Sequence, residues 1–429
     1  MLLWFYRLAF MPVLLVLAPQ VLWRMWRRGG YRHDFGQRFG ALPALPAVDP
    51  GRTRIWLQAV SVGEVLAIEP LVDALLREPG VEVFLTTTTS TGLAVARRRY
   101  ANRVVGLAYF PLDWAPFAAR AWRRVQPNLV ILTEGERWPE HIAQAARRGV
   151  PVVCVNARLS DRSFRRMRAC RRVVRRLLEG VTAFLAVSEE DAARFCTLGV
   201  DPQRVAVTGN LKLDVSIQPL DAVTRERLRR ELGLPEAENV VLGSSTWPGE
   251  EAALLQAWQA LRQSGLACRL LLVPRHEERR DEVETLLRDA GVRYHLRSRG
   301  AAPAEVEVAV ADTTGELRAL TQLADVVFVG KSLPPHHEGQ TPVEAAALGR
   351  PLLFGPQMTN FRVVARDLVA VGGAQTVTDA VTLQQAMERL LRDPEERSRR
   401  GAAAQRWQQA SQGALAQTVG HLRIHFIRA

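Results

Sequence analysis

Residues 127–157 read PNLVILTEGERWPEHIAQAARRGVPVVCVNA, and this stretch decides the fold. Two short apolar runs, NLVILTE and PVVCVNA, flank a segment of helical periodicity. Apolar runs of this length bounded by turn residues read as buried strands, and strands alternating with helices read as a parallel sheet wound with helices. The strand ends carry the polar residues: Glu134 and Glu136 close the first run, and Asn156 closes the second.

Working outward, the same alternation recurs. RIWLQAV, VEVFLTTT, AFLAVS and RVAVTGN complete a first series, each run followed by a helical stretch. A second series begins at VVLGSST and continues through CRLLLVPR, VEVAVAD, DVVFVG and PLLFG, closing in a helical carboxy terminus. The break falls near Ile217 to Arg225. The expectation is an α/β protein of two Rossmann-like, doubly wound domains facing a cleft: residues 29–216 and 217–429, with 1–28 standing apart. Ligands of such sheets bind beyond the carboxy ends of the strands, so chemistry is sought there.

Residues 1–26, MLLWFYRLAFMPVLLVLAPQVLWRMW, are apolar apart from Arg7, Gln20 and Arg24, and near the length of about 20 residues that crosses a bilayer. Positive residues follow the run rather than precede it, which is the reverse of a secretory signal. Arg24, Arg27, Arg28, Arg32 and Arg38 on its carboxy side would keep the following domain in the cytoplasm. The reading is a membrane-anchoring helix, either spanning or lying on the membrane, with the catalytic body on the cytoplasmic side.

The 429 residues are 48% hydrophobic and 24% charged, which excludes disorder and a polytopic membrane protein. A formal net charge of +13 favours anionic partners. Nearly all basic residues are arginine, as in the run Arg165, Arg166, Arg168, Arg171, Arg172, Arg175 and Arg176. No nucleic-acid-binding signature accompanies them, so no nucleic acid partner is expected. Cys154, Cys170, Cys196 and Cys268 lack metal-ligand spacing and read as reduced, mostly structural thiols. No GxGxxG or P-loop occurs in the right context, so neither a Rossmann cofactor nor a P-loop nucleotide site is supported.

Several strand ends are candidate sites. QAVSVGE places Glu64 at a strand-to-helix turn, where it is either a general base or simply a helix-start carboxylate favoured by the helix dipole. NARLSDRSF supplies Asn156, Arg158 and Ser160, either an anion cluster or a solvated helix start. In the second series GSSTWPGEE sets Ser244, Ser245 and Thr246 before a helix start at Glu250, a turn able to cradle phosphate through its amides. LLLVPRH presents Pro274, Arg275 and His276, and arginine offers a fork for phosphate or carboxylate. DTTGEL gives Thr314, Gly315 and Glu316. TPVE places Thr341, Pro342, Val343 and Glu344 at a loop-to-helix junction, where Glu344 could accept both hydroxyls of a ribose.

Taken in order, AVSVGE, PLDW, TEGERWP, NARLSDRSF, VSEEDAARF, VTGNLKLD, SSTWPGEE, LVPRHEER, DTTGEL, ADVVFVGKSL, TPVEAAALG and LFGPQMTNF resemble the 3-deoxy-D-manno-octulosonic acid (Kdo) transferases. The resemblance implies a GT-B glycosyltransferase of the bacterial inner membrane, acting in lipopolysaccharide biosynthesis without metal or cofactor. The first domain would bind the acceptor, lipid IVA, a lipid A precursor. The second would bind the donor, CMP-Kdo. Glu64 would be the base of an inverting displacement. Pro274, Arg275, Thr314 to Glu316 and Thr341 to Glu344 would hold the nucleotide. Glu134, Asn210 and Lys212 match further polar positions of the family.

The chain departs from the family in one loop. The family usually reads VGGSLV and then GGHNPLEPA, whereas this chain reads VGKSLPPHHEGQTPVEAAA, with Lys331 and Glu338 for glycines and Gln340-Thr341 for His-Asn. Trp247 also stands where His is common. Two alternatives remain: another lipid-directed GT-B transferase using a UDP-sugar, or a non-catalytic membrane adaptor on the same fold. The presence of Glu64 and Arg275 weighs against the second.

Overall fold

The computed structural model describes residues 2–28, 34–135 and 137–426. Glu136 and Arg32, singled out above, lie outside the described residues, as do the side chains of Arg24, Trp26, Arg27 and Arg28. The chain divides into two compact units, residues 1–214 with 412–429, and residues 215–411.

The first unit is built on β1 (Thr53–Ala59), β2 (Val81–Thr87), β3 (Gly106–Tyr109), β4 (Leu129–Thr133), β5 (Val152–Ala157), β6 (Ala183–Ala186) and β7 (Val205–Val207). All pair in parallel in the order β3-β2-β1-β4-β5-β6-β7. β1, β2, β4 and β5 are buried along their whole length, which is why they read as continuous apolar runs. One core forms on each face of this sheet. Trp56, Phe84, Trp122 and Phe184 fill one, and Ile55, Leu57, Leu71 and Leu185 fill the other. Each such side chain withdrawn from water contributes about 1.5–3 kcal/mol.

The second unit repeats the plan with β8 (Asn239–Thr246), β9 (Cys268–Pro274), β10 (Tyr294–Leu296), β11 (Val308–Val310), β12 (Val326–Val329), β13 (Leu352–Phe354) and β14 (Ala374–Thr376). Its parallel order is β10-β11-β9-β8-β12-β13-β14. Each sheet winds outward from one switch point, between β1 and β4 and between β8 and β12, and in the second sheet β11 also returns to lie between β10 and β9. Those two points are the crevices where open α/β sheets receive ligands.

The expected boundary at residue 216 differs from the observed one, and the carboxy terminus differs more. Residues 412–429 return to the first unit instead of ending the second. Asp214 accepts hydrogen bonds from the amides of Gly413, at 2.7 Å, and Leu415, and the helix Ala414–Arg423 buries Val419 and Leu422 in the core that holds Leu71 and Leu75.

The amino-terminal helix runs Leu2–Arg28 with Pro12 and Pro19 inside it. Among the described residues no helix, this one included, is long and apolar enough to cross a membrane. Its length suits a span, but Arg7 and Gln20 lower its apolar character. Arg7 is instead committed to the body of the unit: its Nε and Nη2 donate to Glu140, at 2.7 and 3.0 Å, and the Glu140 side chain is fully buried. Tyr6 donates to buried Asp113 at 2.6 Å. Arg38, expected as a flanking membrane charge, is buried, donating to the Thr88 carbonyl with its guanidinium over the Tyr109 ring.

Candidate active site

In the first unit the site grows from the reversal between β1 and β4. β1 ends at Ala59, and the chain turns through Val60 and Ser61 into a short helix, Val62–Ala67, that carries Glu64 in its first turn. Glu64 Oε2 accepts from the Val60 amide at 2.9 Å and from the Thr133 hydroxyl, at the end of β4, at 2.5 Å. One carboxylate oxygen thus ties the two strand ends together. Burial pushes the Glu64 carboxyl above its ordinary value, opposed by those two donors; neighbouring Glu134 pushes the same way, while Lys212 opposes it. A raised carboxylate in a strand-end crevice is suited to accepting a proton near neutrality.

Glu134 follows Thr133 in the left-handed region, at φ 54°. Its Oε1 accepts from Lys212 Nζ at 2.6 Å, and its Oε2 accepts from Arg158 Nη2 at 2.6 Å and Nε at 3.0 Å. Burial pushes Glu134 up, but the two cations outweigh it and hold the carboxyl below its usual value. The two adjacent acids are therefore driven apart, Glu64 toward a base that can take a proton and Glu134 toward a fixed anion. Asn210 caps the short turn bearing Lys212, its Oδ1 accepting from the Lys212 amide at 3.0 Å. Asn156, at φ 51°, accepts from the Leu211 amide at 3.0 Å and so holds the same turn against β5.

Of the two readings of NARLSDRSF, a helix start is what forms, and Arg158, Asn156 and Ser160 make no separate anion cluster. Arg158 is spent on Glu134, Asn156 on backbone, and Ser160 caps the helix Asp161–Ala169. The arginine run on that helix and the next, Arg171–Leu178, is exposed.

In the second unit the reversal between β8 and β12 is organised by a residue the sequence had marked only as a helix start. Glu250 is buried, and its carboxylate accepts the amides of Trp247 at 2.9 Å, Lys331 at 2.7 Å, Ser332 at 2.7 Å and Leu333 at 3.0 Å. In the turn expected to cradle a phosphate, the Trp247 amide is taken by the protein's own carboxylate, and the other three amides come from the loop after β12. The close approach of the strands demands glycine at 330, where a Cβ would lie 2.3 Å from the Ser245 carbonyl oxygen.

Arg275 follows β9, its amide bonded to the Thr246 carbonyl at 3.0 Å, and its exposed guanidinium makes no ion pair among the described residues. It is free for a ligand. Pro274 precedes it as the last residue of β9. Glu344 lies in the first turn of the helix Val343–Ala347, behind Pro342 at its cap. Its Oε1 accepts from Arg318 at 2.7 Å, and Thr341 Oγ1 accepts from the Val343 amide at 3.3 Å. Glu316, by contrast, is committed to Arg297, which donates to both carboxylate oxygens and holds the carboxyl below its usual value. Thr314 donates to Glu277 at 3.0 Å, and Gly315 between them adopts φ 95°. Glu277 and Arg297 thus brace this segment.

Residues 33–215 match the family described as 3-deoxy-D-manno-octulosonic-acid transferase (kdotransferase). A 3-deoxy-D-manno-octulosonic acid transferase of Bordetella pertussis is 36% identical over 420 residues, covering 95% of this chain and 96% of its own. The chain belongs to the Kdo transferase family. A second such transferase, of Haemophilus influenzae, is 32% identical over 407 residues, covering 93% of this chain and 92% of its own. Among solved structures, the UDP-GlcNAc 2-epimerase of Neisseria meningitidis, bound to UDP-GlcNAc, superposes with a TM-score of 0.59 over 86% of this chain and 99% of its own, at 14% identity. That last likeness concerns the fold alone. As a Kdo transferase the chain is a glycosyltransferase. Thr133, which nothing in the sequence marks, joins its candidate site; Arg158 joins it as the partner of Glu134, and Glu250 as more than a helix start. Thr133 and Glu64 are neighbours only in space, because 69 positions separate them.

Proposed function

We propose that this Kdo transferase moves Kdo from CMP-Kdo to a hydroxyl of lipid IVA, with inversion, and that Glu64 is the base. The observation that carries the reading is the Glu64 carboxylate, raised by burial and fixed by Thr133 and Val60 at the reversal of the first sheet. Glu64 takes the acceptor hydroxyl proton as the oxygen bonds to the anomeric carbon. The bond from that carbon to the phosphate oxygen breaks, and its electron pair leaves on CMP. Arg275 is the unpaired cation suited to that phosphate, and Glu344 the carboxylate suited to the ribose. Lys212 and Arg158 lock Glu134 as a fixed anion, and Lys212 also restrains the rise of Glu64.

Membrane attachment of the cytoplasmic side of the inner membrane is part of the same proposal. Trp4, Phe5, Leu8, Val13, Leu15, Val16 and Trp23 are exposed on the amino-terminal helix. An apolar face of this kind suits a helix lying in the lipid interface, and Tyr6 and Arg7 fasten it to the body. A donor screen tests the reading: purified protein with lipid IVA is offered CMP-Kdo and, separately, UDP-sugars, with product mass recorded. A Kdo-lipid formed only from CMP-Kdo is expected; transfer from a UDP-sugar would replace the proposal.

A further inference from the structure

Only two of the 57 basic residues in this chain are lysines, Lys212 and Lys331. Where arginine is used almost everywhere else, each lysine places a compact, flexible ammonium instead of a planar fork. Lys212 belongs to the Glu64–Glu134 cluster at the reversal of the first sheet. Lys331 stands at the corresponding reversal of the second, immediately after β12 and Gly330.

The surroundings of Lys331 are unusual in four respects. Its backbone is left-handed, φ 59°, and so is that of Ser245 beside it at the end of β8, φ 55°. Non-glycine residues in this region cost energy and gather at functional sites. Its Nζ sits 4.2 Å from the centroid of the Trp247 ring, so the ammonium rests on an aromatic face. The rings of His276 and His336 flank the same indole at 5.3 and 5.7 Å. Finally, two polar atoms alongside, Trp247 Nε1 and Thr246 Oγ1, are buried with no hydrogen-bond partner among the described residues. Buried orphans of this kind call for an explanation.

The ammonium has one ionic partner, Glu338 Oε1 at 3.3 Å, on a half-exposed side chain. That carboxylate can be exchanged for another without changing the charge balance. Arg275, just after β9 and next to His276, makes no ion pair among the described residues. CMP-Kdo carries two kinds of anionic group, a phosphodiester and a sugar carboxylate on the anomeric carbon, and the second unit offers two cations of different chemistry, Lys331 after β12 and Arg275 after β9.

We propose that Lys331, seated on Trp247, is the subsite for the sugar carboxylate of the donor, which displaces Glu338 from the ammonium, while Arg275 serves the phosphate. The proposal rests on the CMP-Kdo reading above. It makes Lys331 a determinant of donor specificity: a nucleotide sugar without a carboxylate leaves the ammonium paired with Glu338 and gains nothing from it.

The test separates the carboxylate from the nucleotide. KM for CMP-Kdo and the dissociation constant of CMP, measured by calorimetry, are compared in the full-length wild type, Lys331→Met and Lys331→Arg, with thermal unfolding confirming that each is folded. Loss of one charge-assisted hydrogen bond predicts that Lys331→Met raises KM for CMP-Kdo by about 10-fold or more, with CMP binding changed less than about twofold. Lys331→Arg, which keeps the charge, recovers most of the loss. Equal weakening of CMP-Kdo and CMP overturns the proposal by placing Lys331 on the nucleotide or in the shape of the loop, and unchanged constants overturn it outright. A wild type that binds CMP but does not turn over CMP-Kdo refutes the donor reading itself, and the subsite with it.

Discussion

Replacing Thr133 by valine removes one hydroxyl from the site and little else. That hydroxyl donates to Glu64 Oε2 at 2.5 Å from a nearly fully buried position at the end of β4. A hydrogen bond to a charged acceptor contributes about 1.5–3 kcal/mol, and it stabilises the carboxylate form, which is why it holds the Glu64 carboxyl down against burial. Its loss therefore pushes the Glu64 carboxyl further up. A base must be deprotonated to act, so the acid limb of the kcat/KM profile moves to higher pH. Activity near neutrality falls, and it recovers as pH rises past the shifted limb. The assay is CMP release from CMP-Kdo and lipid IVA between about pH 5 and 9, with wild type and Thr133→Val in parallel. An acid limb that stays in place while activity falls equally at every pH would refute the reasoning, because it would mean that Thr133 shapes the site without touching the group that titrates.

Other outcomes follow from the same geometry. Lys212→Met removes a cation that lowers both Glu64 and Glu134, so it also moves the acid limb upward, read in the same pH series. Glu250→Gln leaves an amide where a carboxylate accepts four backbone amides; its NH2 group cannot accept, and a loss of about 3 kcal/mol or more in denaturant unfolding is expected. Arg7→Ala removes the two-pronged partner of the buried Glu140 carboxylate, leaving it Gln144 and the more distant Arg147, and should cost about 3 kcal/mol. Tyr6→Phe, which removes one hydrogen bond to Asp113, should cost about 1 kcal/mol, and the difference between the two is read by chemical denaturation of the full chain.

The interior of the fold was legible because its central strands are buried on both faces and therefore spell unbroken apolar runs. The three strands not foreseen, β3, β10 and β14, are edge strands of four, three and three residues, each paired on one side only. Too little apolar sequence marks them. The return of residues 412–429 to the first unit was hidden for a different reason: it depends on Asp214 capping a segment almost 200 positions away, at a sequence separation of 199. At the site, the acids at strand ends were visible as a pattern, yet their roles were not. Glu250 and Glu64 occupy the same local position, a helix start after a strand. One accepts four amides and serves the backbone; the other accepts one amide and the hydroxyls of Thr133 and Ser61, and both are raised by burial. Only the three-dimensional partners distinguish a structural carboxylate from a candidate base. The glycine-to-lysine departure at 331 likewise became interpretable once Trp247 was found beneath the ammonium.

The central claim is that Glu64 removes the acceptor proton during Kdo transfer. Its most direct test is single-turnover transfer from CMP-Kdo to lipid IVA by wild type and Glu64→Gln, with CMP and product mass both measured and CMP binding used to verify an intact donor site. The account predicts a Kdo-lipid from the wild type, a rate lower by about 100-fold or more in Glu64→Gln, and unaltered CMP affinity. A Glu64→Gln enzyme that transfers Kdo at close to the wild-type rate would contradict it.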